Sequence, residues 1–284
     1  MINALNLTPL ISTSTYAGNL WGSDTQPVSA VRTKRNVLDA AQLWPNGSTI
    51  KIALYDADVE TAQAIKDAIN EWQPHVNLKF EFVSGEDGDI RIALNHINHM
   101  FSSAIGTAAK DVPLHQPTMM LPGDTSYPSF RYVVLHEFGH ALGARHAHQH
   151  PDSNIPWDKQ STYTDALQRF GWTKETVDEN ILPSPRNDQH RYQPYDENSV
   201  MHYELRPQWT SNAWGQSESW EISDGDIAQM KQAYPMPTPP APTSPSQGLL
   251  RSGPDQPTPP AEHHRRLRAA DSDCTTQGAG LSGL

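Results

Sequence analysis

The sequence predicts an α+β fold, on three observations. Ser48–Tyr55, Leu78–Val83 and Asp89–Leu94 alternate apolar with polar residues and are rich in β-branched or aromatic side chains, the pattern of half-buried strands. Asp58–Trp72, Phe130–Leu142 and Ser223–Tyr234 read as helices. Between Gly143 and about Trp220 lies a long stretch rich in Pro, Asp and Asn with few clean elements.

Taken in order, residues 1–31 show no clear periodicity and read as a flexible leader. Val37–Trp44 reads as a short helix, closed by the turn signal Pro45-Asn46-Gly47. Ser48–Tyr55 is then a strand. Asp58–Trp72 is apolar at Val59, Ala62, Ile65, Ile69 and Trp72, which is helical spacing, and Pro74 ends it. Leu78–Val83 and Asp89–Leu94 follow as strands. His96–Pro117 is read as irregular, and Thr118–Leu121 as a short edge strand. Phe130–Leu142 is the next helix. Ser223–Tyr234 closes the folded part, with Ser223 or Asp224 as N-cap, Asp226 at the positive end of the dipole and Pro235 as the stop. From 236 to 284 the sequence is Pro-rich, with PTPP at Pro237–Pro240 and again at Pro257–Pro260, and reads as disordered or polyproline II. The expected domain of 32–235 therefore lies between a leader and a tail.

Charge and composition narrow the function. A formal net charge of −11 argues against a nucleic-acid partner, since phosphate contacts need a basic surface. The single cysteine, Cys274, cannot form an internal disulfide. No run approaches the roughly 20 apolar residues of a membrane helix, so no membrane partner is expected. Met1–Tyr16 lacks the basic and continuous apolar regions of a secretory signal. Its Ser, Thr, Asn and Leu content resembles the leaders of translocated bacterial effectors, and equally an ordinary frayed terminus. Secretion or translocation without a classical signal peptide, and a monomer, are the expectations.

The chemistry is concentrated in His136-Glu137-Phe138-Gly139-His140-Ala141-Leu142-Gly143-Ala144-Arg145-His146. On a helix, His136 and His140 lie about 40° apart on one face and can present imidazoles to a single point. Glu137 sits about 60° round from His140, within reach of a metal-bound water without being a ligand. Val134, Phe138 and Ala141 fall on the opposite face, which buries and fixes the rotation of the helix. One further helical turn offers only Ala144, so the third ligand is His146, brought in by a turn at Gly143, which tolerates positive φ. Three neutral imidazoles with an open fourth position suit a catalytic zinc, one per chain. Copper or nickel can also occupy such a set. Downstream, Ser199-Val200-Met201-His202-Tyr203 offers Met201 as a polarizable floor beneath the ligands and Tyr203 as a hydroxyl near the metal, against the plainer readings of a core methionine and a surface aromatic. His148 and His150 are read as exposed histidines, and His202 as part of the packing around Met201. His96, His99 and His115 leave a second metal site open.

The long motif HExxHxxGxxH with a downstream Met-turn is the metzincin signature, and the chain resembles the metzincin metalloproteases. It is most similar to the astacins, over about Arg32–Tyr234, through Tyr195-Asp196-Glu197-Asn198-Ser199-Val200-Met201-His202-Tyr203 and through Ser223-Asp224-Gly225-Asp226-Ile227-Ala228 followed by Tyr234. The resemblance implies two lobes: a twisted mixed sheet with helices above, an irregular half with a C-terminal helix below, and a substrate cleft between. It implies a zinc endopeptidase acting on proteins or peptides, with Glu137 as general base and Tyr203 as a zinc ligand that swings away to stabilise the transition state. An extended substrate is expected to pair with Thr118–Leu121. The chain departs from the family pattern at Ala147, where an acidic residue that anchors a matured N-terminus is usual, and in its lack of disulfides. Trp21-Gly22-Ser23-Asp24 is only faintly like an aspartate latency motif, and nothing around Cys274 resembles a cysteine one. Two rival readings remain at this point. One is a non-catalytic zinc-binding interaction module, which has no use for Glu137. The other is an effector whose Pro-rich tail, through its two PTPP segments, engages an SH3- or WW-like partner; the basic cluster His263–Arg268 in that tail is read as a solvated charge run rather than a contact for an acidic partner.

Overall fold

The computed structural model describes residues 11–15, 37–84, 87–96 and 100–238. Most of the leader, Trp21–Asp24, His99, the second PTPP segment, the basic cluster and Cys274 lie outside the described residues. The strands are β1 (Ile11–Thr15), β2 (Val37–Asp39), β3 (Thr49–Leu54), β4 (Lys79–Val83), β5 (Ile90–Asn95), β6 (Met100–Ala104), β7 (Met119–Pro122) and β8 (His190–Tyr192). The α-helices are α1 (Val59–Asn70), α2 (Phe130–Ala141), α3 (Lys159–Phe170), α4 (Lys174–Asn180) and α5 (Asp224–Ala233). Among the described residues no helix is long and apolar enough to cross a membrane.

Six strands form one mixed sheet in the order β1-β6-β7-β5-β3-β4. Strands β4, β3, β5 and β7 run parallel, while β6 lies antiparallel to β7, and β1 antiparallel to β6. A parallel pair needs a crossover, and α1 supplies it between β3 and β4. Asp58 caps α1 by accepting from Thr61 N, and Ile65, Ala68 and Ile69 bury its inner face. Where α1 ends, Trp72 donates from Nε1 to the Leu135 carbonyl at 3.2 Å, fastening it to α2.

Helix α2 is buried around almost its whole circumference: of its twelve residues only Arg131 reaches solvent. Two cores lie in the described part. The larger is built on the sheet, α1 and α2, and takes Met230, Ala233 and Tyr234 from α5 and its C-terminal end. The smaller gathers Ala166, Val177, Ile181, Leu182, Leu205 and Trp209, with Tyr203 at its edge.

The structure corrects several expectations. Val37–Trp44 is not an α-helix: β2 pairs with β8 from 190–192, and a 3-10 turn follows at Ala40–Gln42. Residues 96–117 are not wholly irregular, since β6 lies there. Thr118–Leu121 does not form a sheet edge, because β7 is flanked by β5 on one side and β6 on the other. The stretch after Gly143 holds two helices. Only Thr162 and Ala166 of α3 and Val177 of α4 are buried, so neither carries a visible apolar stripe. Ile11–Thr15, within the leader, is a strand.

Residues 106–118 are held to β5 by Arg91, whose side chain is buried. Its guanidinium donates to the carbonyls of Gln116 (2.9 Å), Gly88 (3.2 Å), Val112 (2.9 Å) and Pro113 (3.2 Å). Arg91→Ala leaves these acceptors without their donor and opens a cavity. It is expected to cost about 3–5 kcal/mol in chemical unfolding of the full chain. A loss below about 1 kcal/mol would show that the segment is held by other means.

Candidate metal centre

Helix α2 delivers His136 and His140 on one face. It stops at Gly143, whose φ of +96° is reached without strain only by glycine. Gly143 N donates to His140 O and Ala144 N to Gly139 O, so the turn satisfies these two carbonyls, while Trp44 Nε1 donates to the last one, Ala141 O, at 2.7 Å. The chain then pairs with β2: Arg145 N donates to Val37 O, and Leu38 bridges to Ala144. That pairing sets the direction in which His146 leaves.

The ligand atoms of His136, His140 and His146 come within 4.8 Å of one another, and all three residues are buried. Each Nδ1 is already engaged. His136 Nδ1–H donates to Val200 O at 2.8 Å and His140 Nδ1–H to Ala144 O at 2.7 Å. His146 Nδ1–H donates to Gln149 Oε1 at 3.2 Å. The amide nitrogen of Gln149 donates to Glu179 O and Leu182 O, which fixes Oε1 towards the ring. With each Nδ1 carrying its proton, each Nε2 presents a lone pair. Burial lowers the pKa of His136 to about 4. Burial, together with the neighbouring imidazoles, holds His140 and His146 well below the usual value. The rings are therefore neutral ligands.

The donor set fits a small cation. The Nε2 atoms of His140 and His146 lie 3.1 Å apart, two lone pairs facing each other. In a tetrahedral zinc site with Zn–N near 2.0–2.1 Å, ligand nitrogens stand about 3.3 Å apart. Nε2 of His136 is buried without a hydrogen-bond partner. So are both carboxylate oxygens of Glu137, the next residue, and burial pushes its pKa well above the ordinary carboxylate range. A buried carboxylate with no donor is costly unless it has work to do on a bound molecule.

Met201 packs directly under α2: a Cβ added to Gly139 would fall 2.3 Å from its sulfur. Met201 O accepts from Ala147 N at 2.9 Å, tying the turn to the residue after the third histidine. The Tyr203 ring lies 4.1 Å from that of His146 and 5.5 Å from that of His136, between centroids. The structure thus gathers all seven residues singled out from sequence: His136, Glu137, His140, Gly143, His146, Met201 and Tyr203.

Other histidines behave differently from expectation. His148 and His150 are fully buried, not exposed. His148 Nε2–H donates to Asn180 O, which leaves Nδ1 to accept from Tyr203 N at 3.3 Å. It holds the backbone of Tyr203 in place. His202 donates from Nδ1 to Tyr203 O and accepts from the Tyr195 hydroxyl at 2.8 Å. Among the described residues no second metal-binding group gathers around His96 or His115. Sequence reasoning also missed Gln149. Its signal was a polar residue three positions after the third ligand, because on the 3-10 turn Ala147–Gln149 residues i and i+3 eclipse. Ala147, where the resemblance implies a carboxylate, is buried.

Comparison with known proteins agrees with this geometry. The family model for the astacin peptidases matches residues 36–235. A zinc metalloproteinase of Caenorhabditis elegans, nas-26, is 29% identical over 185 residues, covering 61% of this chain and 39% of its own. Astacin-like metalloprotease toxin 5 of Loxosceles gaucho is 30% identical over 111 residues, covering 39% of this chain and 54% of its own. The chain thus spans about two fifths to one half of the length of these curated relatives. The structure of myroilysin superposes with a TM-score of 0.67 at 32% identity, covering 71% of this chain and all of that one. The match of the family model to most of the chain establishes the relationship, and zinc, one ion per chain, as the metal: this chain belongs to the astacin family of peptidases.

Proposed function

We propose that the chain is a zinc-dependent endopeptidase that hydrolyses peptide bonds of protein substrates, with His136, His140 and His146 as ligands and Glu137 as general base. The observation that supports this reading is a buried carboxylate without a hydrogen-bond partner on the residue that follows His136 in α2, the helix that carries two of the three convergent imidazoles. A structural zinc site has no need of that carboxylate, which disfavours a non-catalytic binding module.

Zinc held there supplies Lewis acidity to the scissile carbonyl and lowers the pKa of water towards about 7. Glu137 Oε takes the proton of the attacking water and returns it to the nitrogen of the departing amine. The Tyr203 hydroxyl donates to the oxygen on which charge develops, its backbone steadied by His148. Gly143 swings His146 towards the other ligands, and Met201 closes the floor. Burial of the ligand face excludes bulk water and strengthens each of these interactions. The catalytic unit is proposed to be 32–235, with the tail from 236 apart from the chemistry. Action outside the producing cell is in keeping with the toxins among the relatives.

The substrate is proposed to bind as an extended strand against β6, in the place that β1 takes here. With β7 inside the sheet, β6 is the strand whose outer side would be open without β1. A chain starting at residue 32 is therefore expected to gain about tenfold or more in kcat/KM on an unfolded protein, about 1.4 kcal/mol of relieved competition. Equal or lower kcat/KM in the shortened chain would reject β6 as the substrate strand. The function itself is tested by hydrolysis of a denatured protein with the zinc-loaded chain, which a chelator abolishes. Absence of cleavage by both the full and the shortened chain would reject it.

A further inference from the structure

We propose that Asp226, on α5, is a positioning residue for the metal ligand His136, acting through Ser199 and the Val200–Met201 peptide. The inference rests on the metal-centre reading above and extends it to a residue on a distant helix.

The connection is continuous. His136 Nδ1–H donates to Val200 O at 2.8 Å. The N–H of that same peptide unit, on Met201, donates to Ser199 Oγ at 3.0 Å. Ser199 Oγ–H in turn donates to Asp226 Oδ1 at 2.6 Å. The second carboxylate oxygen, Oδ2, accepts from Val200 N at 2.8 Å. One buried carboxylate therefore holds the N–H of Val200 directly and, through Ser199, the N–H of the peptide that orients His136, and every group in the chain is buried. Donors and acceptors run in one sense from the imidazole to the carboxylate. Each bond polarises the next, so the negative charge on Asp226 makes Val200 O a better acceptor. A stronger bond at Nδ1 fixes the ring and raises the basicity of Nε2 towards a metal.

Asp226 also has an ordinary structural job. Its Oδ2 accepts from Ser223 N while Ser223 Oγ accepts from Asp226 N, a capping box at the start of α5. Capping alone, however, would be met by a solvent-exposed side chain, whereas this one is sunk against the Met201 turn. The two roles separate by mutation. Ser199→Ala breaks the relay through the hydroxyl and leaves both the cap and the direct bond from Val200 N to Asp226 Oδ2. Ser223→Ala removes the hydroxyl half of the cap, with its bond to Asp196, and leaves the connection.

The experiment measures zinc affinity by chelator competition and the visible spectrum of the cobalt-loaded full chain, with folding followed by circular dichroism. Asp226→Ala is expected to weaken zinc binding about 10–100-fold and to shift the cobalt bands. Ser199→Ala is expected to move both readouts in the same direction by less. Ser223→Ala is expected to lower the melting temperature with affinity and spectrum unchanged. Folded Asp226→Ala and Ser199→Ala with wild-type affinity and spectrum would overturn the proposal. So would Ser223→Ala losing affinity as much as Ser199→Ala. If Asp226→Ala does not fold, the contrast between the two serine variants decides. Wild-type chain that takes up no zinc would overturn the metal-centre reading itself rather than the connection to α5.

Discussion

Glu137→Ala is expected to leave one zinc bound per chain and to lower kcat by about 10²–10⁴-fold, the range for loss of a general base. Three features of this structure set that expectation. Glu137 is not among the three convergent nitrogen donors, so metal retention does not depend on it. Its carboxylate is fully buried with no donor from the protein, so no side chain stands ready to replace it as proton acceptor. Neighbouring positions on α2 are apolar or are ligands. Because the missing interaction belongs to the transition state, the loss should fall on kcat and kcat/KM together, with KM little changed. Metal analysis and steady-state hydrolysis of one preparation check both halves. Loss of zinc alongside activity would recast Glu137 as a structural support of the site.

Removal of zinc is expected to abolish hydrolysis and to lower the melting temperature by about 10 °C. The ligands come from α2 and from the turn after Gly143, and two Nε2 lone pairs face each other at 3.1 Å. A cation between them removes that repulsion in the folded state only. At free zinc of about a thousand times Kd, binding contributes about 4 kcal/mol to folding. In a domain of about two hundred residues each kcal/mol moves the melting temperature by about 2–4 °C. Thermal unfolding with and without chelator reads the difference. An unchanged melting temperature would mean that the ligand set is not the one described.

Much of the active face is legible in the sequence because it is local. His136 and His140 stand four apart, which helix geometry turns into one face. Gly143 announces the turn that brings in His146. Strands β3, β4 and β5 and helix α1 show because alternation or helical spacing is complete within each segment. What escapes is non-local. Val37–Asp39 is a strand only because residues 190–192 pair with it, far along the chain. In β6, Ser102 and Ser103 interrupt the alternation, and Ser103 is buried although polar. Its pairing with β7 and β1, rather than its pattern, makes it a strand, and this moves β7 off the edge. The burial of His148 and His150 and the roles of Gln149 and Asp226 are likewise tertiary. Each depends on what packs against it, such as Asn180 and Glu179 on α4 or the Val200–Met201 peptide, and leaves no period behind.

The account rests on one zinc ion at the three histidines doing peptide hydrolysis, and a titration tests this most directly. Metal-free protein would be given zinc in steps, with bound metal and the initial rate of cleavage of a denatured protein measured on each sample, for the full chain and for the chain starting at residue 32. The account predicts a rate that rises in proportion to bound zinc and stops rising at one per chain. Full occupancy without cleavage in either form, or cleavage that does not follow zinc, would contradict it.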